Sequence, residues 1–369
     1  MIEIQGTYNI AKVFTNNIEK TAIDQIEELC NQEFSRDLHI RIMPDVHAGS
    51  GCVIGYTANL KDKVIPNLIG VDIGCGMVVG ELGNIDIDLS LFDNVIRKHI
   101  PSGFSVHSEK IAYNYDFDYQ ISKLLCLSQL KDNDNKFRRS IGTLGSGNHF
   151  IELNVDNENN KYLVIHSGSR NLGLQVANYY QKLAIKNLSN TGIPKDLCYL
   201  EDYDLECYIH DMNICQNYAK INRDAMMYII VEKYGFSVDS WHTIHNYIDF
   251  GDKVVRKGAV SAHNGEKLII PMNMRDGSLL CTGKGNNDWN NSAPHGAGRI
   301  MGRKEAKRVL NMEDFSETMK DIYSTTINDS TLDEAPMAYK PMQEIVDNIK
   351  DTVTVDKIIK PVYNYKSSD

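Results

Sequence analysis

Residues 68–77 read LIGVDIGCGM, an apolar run that carries a carboxylate, Asp72, and a thiol, Cys75, three residues apart among glycines. A plain core segment would use Val, Ile or Leu here, because a lone buried carboxylate is expensive. Five histidines lie in glycine- or asparagine-rich settings: His47 in MPDVHAGSG, His149 in GSGNHFIE, His166 in VIHSGSRN, His245 in IHNY and His295 in PHGAGR. Together these groups form a mixed oxygen, sulfur and nitrogen ligand set. Imidazole suits several transition metals, carboxylate admits Mn²⁺, and a thiolate favours soft or borderline ions. A thiolate can also bridge two ions. Taken alone, Cys75 reads equally as a small buried hydrophobe. The sequence has no HExxH and no CxxC pair, which speaks against a zincin or a zinc finger.

The glycines around these histidines carry two readings that stay open at this level. They serve tight turns that need positive φ, or they let backbone N–H groups approach a phosphate. HGAGR, followed by a helical pattern at 302–311, resembles an anion site at a helix N-terminus. The formal net charge is −10, so a nonspecific basic coat for nucleic acid is excluded. Any polyanion must be met by a local patch or by metal ions. Eight cysteines without a CxxC pair do not form a disulfide framework, and a reducing, cytoplasmic setting is expected. No signal-like N-terminus and no run of about 18 apolar residues is present, so no membrane association is expected.

The elements that must position these groups are short and glycine-punctuated. Apolar spacing predicts a helix within 18–35 and a long amphipathic one over 205–235. Strand-like pieces cover 38–60, 64–82, 148–155 and 161–169, and TVTVDKIIKPVYNYK (352–366) alternates as a strand. KDNDNKFRR (131–139) reads as an exposed loop. There is no internal repeat, and the motifs spread from 45 to 366. The expected architecture is α+β: a single interleaved domain over 1–369, with layered β-sheets and outer helices.

In order along the chain, MPDVHAGSG, GVDIGCGM, GSGNHFIE, VIHSGSRNLG, HNY, RKGAVSA, HGAGR and DEAPMAYK resemble the RtcB family of RNA ligases. The resemblance implies an enzyme that joins RNA 3′-phosphate or 2′,3′-cyclic phosphate ends to 5′-hydroxyl ends, using GTP and two Mn²⁺ ions. Such ligation serves RNA repair or tRNA splicing, in some cases with an archease-type activator. It places Asp72 and His149 on one ion, His166 and His245 on the other, and Cys75 between them. His295 falls on the nucleophile that takes up GMP. Asn148, His149, Phe150, Ile151, Glu152, His245, Asn246, the loop His295, Gly296, Ala297 and Gly298, and Lys366 fall on guanylate-binding positions. Arg170 is similar to a residue that holds an RNA phosphate, and Asp45 to a supporting, proton-handling carboxylate.

The chain departs from the family pattern at PMNMRDGS (271–278), where PGSMG is common. Pro271, Met274 and Ser278 keep register as nucleotide contacts, while Met272 and Asn273 replace Gly and Ser. Arg275 is a candidate for compensating charge. Three residues follow Lys366. The competing readings are a dinuclear-metal phosphodiesterase or phosphatase without ligation, and a non-catalytic RNA-binding repair protein. The intact HNY, HGAGR and Lys366 positions argue against the first, and the presence of every candidate ligand and of His295 against the second.

Overall fold

The computed structural model describes residues 1–111, 117–132 and 134–367. The β-branched and aromatic runs pair into two main sheets. The first has six strands in the order Ile2–Gln5, Ile10–Val13, Arg41–His47, Ile54–Asn59, Val254–Lys257 and Asn246–Asp249. The second has seven: Asp239–Ile244, Gly76–Gly83, Lys161–Ser167, Phe150–Val155, Val353–Lys366, Gly277–Gly283 and Lys267–Asn273. A two-stranded ribbon, Ala259–Ser261 with Ser292–Pro294, lies beside them. Both sheets interleave distant parts of the chain, and the layered α+β architecture read from the sequence is the one observed.

The largest apolar cluster joins the first sheet to the helices Lys20–Cys30, Arg170–Asn187 and the first half of Asp202–Tyr234. That last helix has 33 residues, a length of about 50 Å. It packs against the strands Gly76–Gly83 and Lys161–Ser167, and Gly235 ends it in the left-handed region at φ 69°. No helix among the described residues is long and apolar enough to cross a membrane.

Three local expectations change. The polar stretch 131–139 contains a helix, Asp134–Arg139, supported by the i,i+4 pair Asp134–Arg138 at 3.2 Å and by burial of Phe137; residue 133 lies outside the described residues. The helix expected at 302–311 is only Arg303–Val309, too short to develop much of the dipole invoked for an anion site. LIGVDIGCGM is not one strand either. It leaves a 3-10 turn at Pro66–Leu68, runs irregularly, and joins the second sheet only at Gly76. Gly74 explains the break: it sits at φ 72°, and a Cβ there would press on the Gln216 backbone of the long helix.

Candidate active site

Five neighbouring strands of the second sheet end at one rim. Ile244 stands opposite Gly76, Gly76 opposite Ser167, His166 opposite Phe150, and Phe150 opposite Lys366. This register gathers His245, Cys75, His166, His149 and Lys366 into one region. His245 is the residue at which the chain leaves the second sheet, after Ile244, and enters the first at Asn246.

Cys75 Sγ lies 3.4 Å from His149 Nε2 and 3.3 Å from His166 Nε2. His149 Nε2 reaches Asp72 Oδ2 at 3.0 Å, and His166 Nε2 lies 3.3 Å from His245 Nε2. The thiol therefore stands between two imidazoles, with Asp72 beyond one and His245 beyond the other. His149 Nδ1 donates to Leu144 O at 2.9 Å and His166 Nδ1 to Asn148 O at 3.2 Å, which leaves both Nε2 lone pairs facing the cluster. Lone pairs and a sulfur crowded this closely fit a cation between them, and the donor set suits a divalent transition metal.

The electrostatics agree. Burial, reinforced by neighbouring histidines, lowers His166 and His245 well below the ordinary imidazole range, so both are neutral ligands near pH 7. Burial opposes ionisation of Asp72, but its contacts with His149 and Cys75 and the nearby Arg170 charge outweigh it and hold the carboxyl at about 2. Burial and the Asp72 charge push the Cys75 thiol well up. A thiolate there needs a cation beside it, so metal binding releases a proton.

The loops carrying these ligands are clamped by the long helix. Arg223 Nη1 donates to Gly74 O and Ser167 O, both at 2.8 Å. Asn222 Nδ2 donates to Thr143 O at 3.1 Å, Ser167 Oγ at 3.1 Å and Gly168 O at 3.2 Å, while its Oδ1 accepts from Gly142 N at 2.8 Å. At Gly168 a Cβ would collide with the Asp72 carboxylate, so only glycine leaves that ligand its place.

His295 follows the ribbon strand Ser292–Pro294, and Asp45 comes from the first sheet. Asp45 is fully buried. Its Oδ2 accepts from His295 Nδ1 at 2.6 Å and from the backbone N–H groups of His295 and Gly296, each at 3.2 Å. The bond fixes the proton on Nδ1 and leaves Nε2 as a free lone pair. The His295 ring lies 4.8 Å from that of His245, centroid to centroid, beside the cluster.

His295 also borders a cavity of about 170 Å³, lined further by Asn148, Phe150, Glu152, Pro271, Met272, Met274, Gly296, Ala297, Gly298 and Lys366. Lys366 Nζ pairs with Glu334 at 2.6 Å, and Glu334 is also held by Arg299 at 3.2 Å and Arg303 at 3.1 Å. Burial works against the Glu334 charge, yet these three cations bring its carboxyl to about 2. Burial raises Glu152 to about 7, with Asn364 Nδ2 donating to it at 2.6 Å.

Other positions from the sequence lie elsewhere. Ile151 faces the core, Ser278 Oγ is buried without a hydrogen-bond partner, and His149 faces Cys75. Asn246 braces the site, donating to Asp72 O at 3.2 Å and accepting from Gly258 N at 2.9 Å. Asn273 also lines the cavity, but its Oδ1 accepts from Arg275 N and Asp276 N in its own turn, and Arg275 pairs with Asp276 at 2.7 Å. Arg275 thus offers no spare charge to the cavity. Ser367 is described; Ser368 and Asp369 lie outside the described residues.

Arg170 lies on the other side of the cluster, with Asp72 and His149, along a cavity of about 470 Å³. It adopts φ 55°, a strained value for a non-glycine residue. His47, one of the five candidate histidines, lies outside the cluster and borders the smaller cavity; residues not assigned a role from sequence are Asn222 and Arg223 behind the cluster and Met272, Arg303, Glu334 and Tyr339 around that cavity. Glu334 and Tyr339 stand within DEAPMAYK, so a signal existed; Asn222 and Arg223 offered only polarity on a buried helix face.

The family model for tRNA-splicing ligase RtcB matches residues 36–367. The RNA-splicing ligase RtcB of Escherichia coli K12 is 32% identical, covering 88% of this chain and 89% of its own length. The tRNA-splicing ligase RtcB of Nanoarchaeum equitans is 26% identical, covering 87% and 86%. With that match and the residues gathered at the rim, the chain belongs to the RtcB family of RNA ligases.

Proposed function

We propose that this protein is a GTP- and Mn²⁺-dependent ligase that joins RNA 3′-phosphate or 2′,3′-cyclic phosphate ends to 5′-hydroxyl ends, in tRNA splicing or RNA repair. The observation that carries the reading is His295, with Nδ1 held by Asp45 and Nε2 free, next to the Cys75 cluster and bordering a cavity.

Asp72, Cys75 and His149 would hold one ion, and Cys75, His166 and His245 the other. Bound there, the ions supply charge neutralisation and polarisation of phosphoryl oxygens. His295 Nε2 attacks the α-phosphorus of GTP, an N–P bond forms, and the P–O bond to pyrophosphate breaks. The ring becomes cationic, and the Asp45 carboxylate offsets that charge. An oxygen of the RNA 3′-phosphate then attacks the same phosphorus, the N–P bond breaks, and His295 returns to its neutral form. The 5′-hydroxyl oxygen attacks the activated 3′-phosphorus, an O–P bond forms as the P–O bond to GMP breaks, and the hydroxyl proton passes to solvent. A cyclic end is first opened by water.

Asn148, Phe150, Glu152, the loop 295–298 and Lys366 would surround the guanylate, with Pro271 and Met274 on the opposite wall. Ser278 stands opposite Pro271 in the sheet, and Ile151 packs into the core between Phe150 and Glu152. All eight cysteines are free, which supports the proposed cytoplasmic setting. An archease-type activator enters the proposal through family membership alone.

The test combines a 3′-phosphate RNA, a 5′-hydroxyl RNA, Mn²⁺ and GTP. The reading expects a joined product that requires GTP. Removal of the 3′-phosphate without joining would mark a hydrolase instead, and binding without turnover a scaffold.

A further inference from the structure

We propose that the larger cavity seats the terminal nucleobase of the 3′-phosphate strand, with Phe104 as its stacking platform. This inference rests on the ligase reading.

Phe104 is 89% exposed, far beyond what a large apolar side chain ordinarily shows. The residue before it is tied down. Gly103 N donates to Gly145 O at 2.9 Å, and Gly103 O accepts from Arg170 Nη2 at 2.8 Å. Phe104 thus follows a residue held by the same arginine that borders Asp72 and His149, and Phe104, Arg170, Asp72 and His149 all line the cavity of about 470 Å³. Val71 and Leu174, 43% and 40% exposed, add apolar surface to the same walls.

A nucleotide has a flat apolar base and an anionic phosphate, and the cavity offers a counterpart to each. Arg170 donates only to neutral oxygens, Thr143 Oγ1 at 3.0 Å and Gly103 O, so its charge is matched by no carboxylate hydrogen bond among the described residues. A phosphate drawn to that guanidinium lies next to the ion ligands, and its own base then falls toward the aromatic ring. Aromatic stacking accepts every base, as an enzyme sealing varied ends requires.

The experiment measures binding of a fluorescent 3′-phosphate RNA and its KM in ligation, with the full chain, Mn²⁺ and GTP. Phe104→Ala is expected to weaken both on the order of 5- to 150-fold, and Phe104→Trp to restore them. The effect of Phe104→Ala should vanish with an RNA whose 3′-terminal nucleotide lacks its base. Equal losses on intact and abasic RNA, or no loss on either, would overturn the proposal while leaving the ligase reading intact. A wild-type chain that joins no ends would refute the ligase reading and this inference with it.

Discussion

Replacing Asp45 by Asn keeps the shape of the side chain and removes one charge from behind His295. Asp45 Oδ1 has no hydrogen-bond partner, so an Asn settles with its oxygen at the Oδ2 position and its NH₂ at the vacant side. The opposite orientation would set the NH₂ against three N–H donors. The ring then keeps its proton on Nδ1, and what is lost is the carboxylate charge that offsets the imidazolium formed on attack. Two unit charges about 4 Å apart interact by about 4 kcal/mol at an effective dielectric near 20. With the ring charge half developed in the transition state, about 2 kcal/mol is lost, or about 30-fold in rate. The assay is single-turnover formation of the protein–GMP adduct from GTP labelled at the α-phosphate, alongside thermal unfolding of the variant. A folded Asp45→Asn protein that is guanylated within about threefold of the wild-type rate would refute this reasoning.

Calorimetric Mn²⁺ titration in buffers of different ionisation heat should report proton release from Cys75 in the wild type; Cys75→Ala should lose that proton, and an unchanged release would contradict a thiolate ligand. Glu152 has its carboxyl raised from 4.5 to about 7, so the folded state holds a proton that the unfolded chain has shed. Stability therefore falls by about 3 kcal/mol as pH rises from 4.5 through 7. Glu152→Gln removes that slope and gains on the wild type toward pH 8 in denaturant unfolding; parallel curves would contradict the burial of an ionisable group. Lys366→Met leaves Glu334 with Arg299, Arg303 and the Tyr339 hydroxyl, and should cost about 2–3 kcal/mol, below the full cost of an orphaned buried charge. Unchanged stability would deny the ion pair its role.

The chemistry-bearing residues were legible because their types are costly anywhere else. Asp72, Cys75 and the histidines announced themselves in glycine-rich turns, and strand ends brought them to one rim. What holds them was less legible. In the helix Asp202–Tyr234, Ala225, Met226 and Met227 are buried in succession, which blurs any single apolar face. Nothing in that pattern marks Asn222 and Arg223 as the pair that clamps the loops carrying Cys75 and His166. Strand order was hidden for another reason: Val353–Lys366 inserts between Phe150–Val155 and Gly277–Gly283, a pairing across about 200 and 75 residues that no local pattern encodes. The side chain of Asn273 turned inward to its own loop because Asp276 and two backbone donors satisfy it there.

The central claim is that His295 carries GMP. The most direct measurement incubates the purified chain with Mn²⁺ and GTP labelled at the α-phosphate, then maps the label by peptide. The account predicts an acid-labile, alkali-stable GMP on His295, absent from His295→Ala. No adduct on the wild type, or an adduct that persists in His295→Ala, would contradict it.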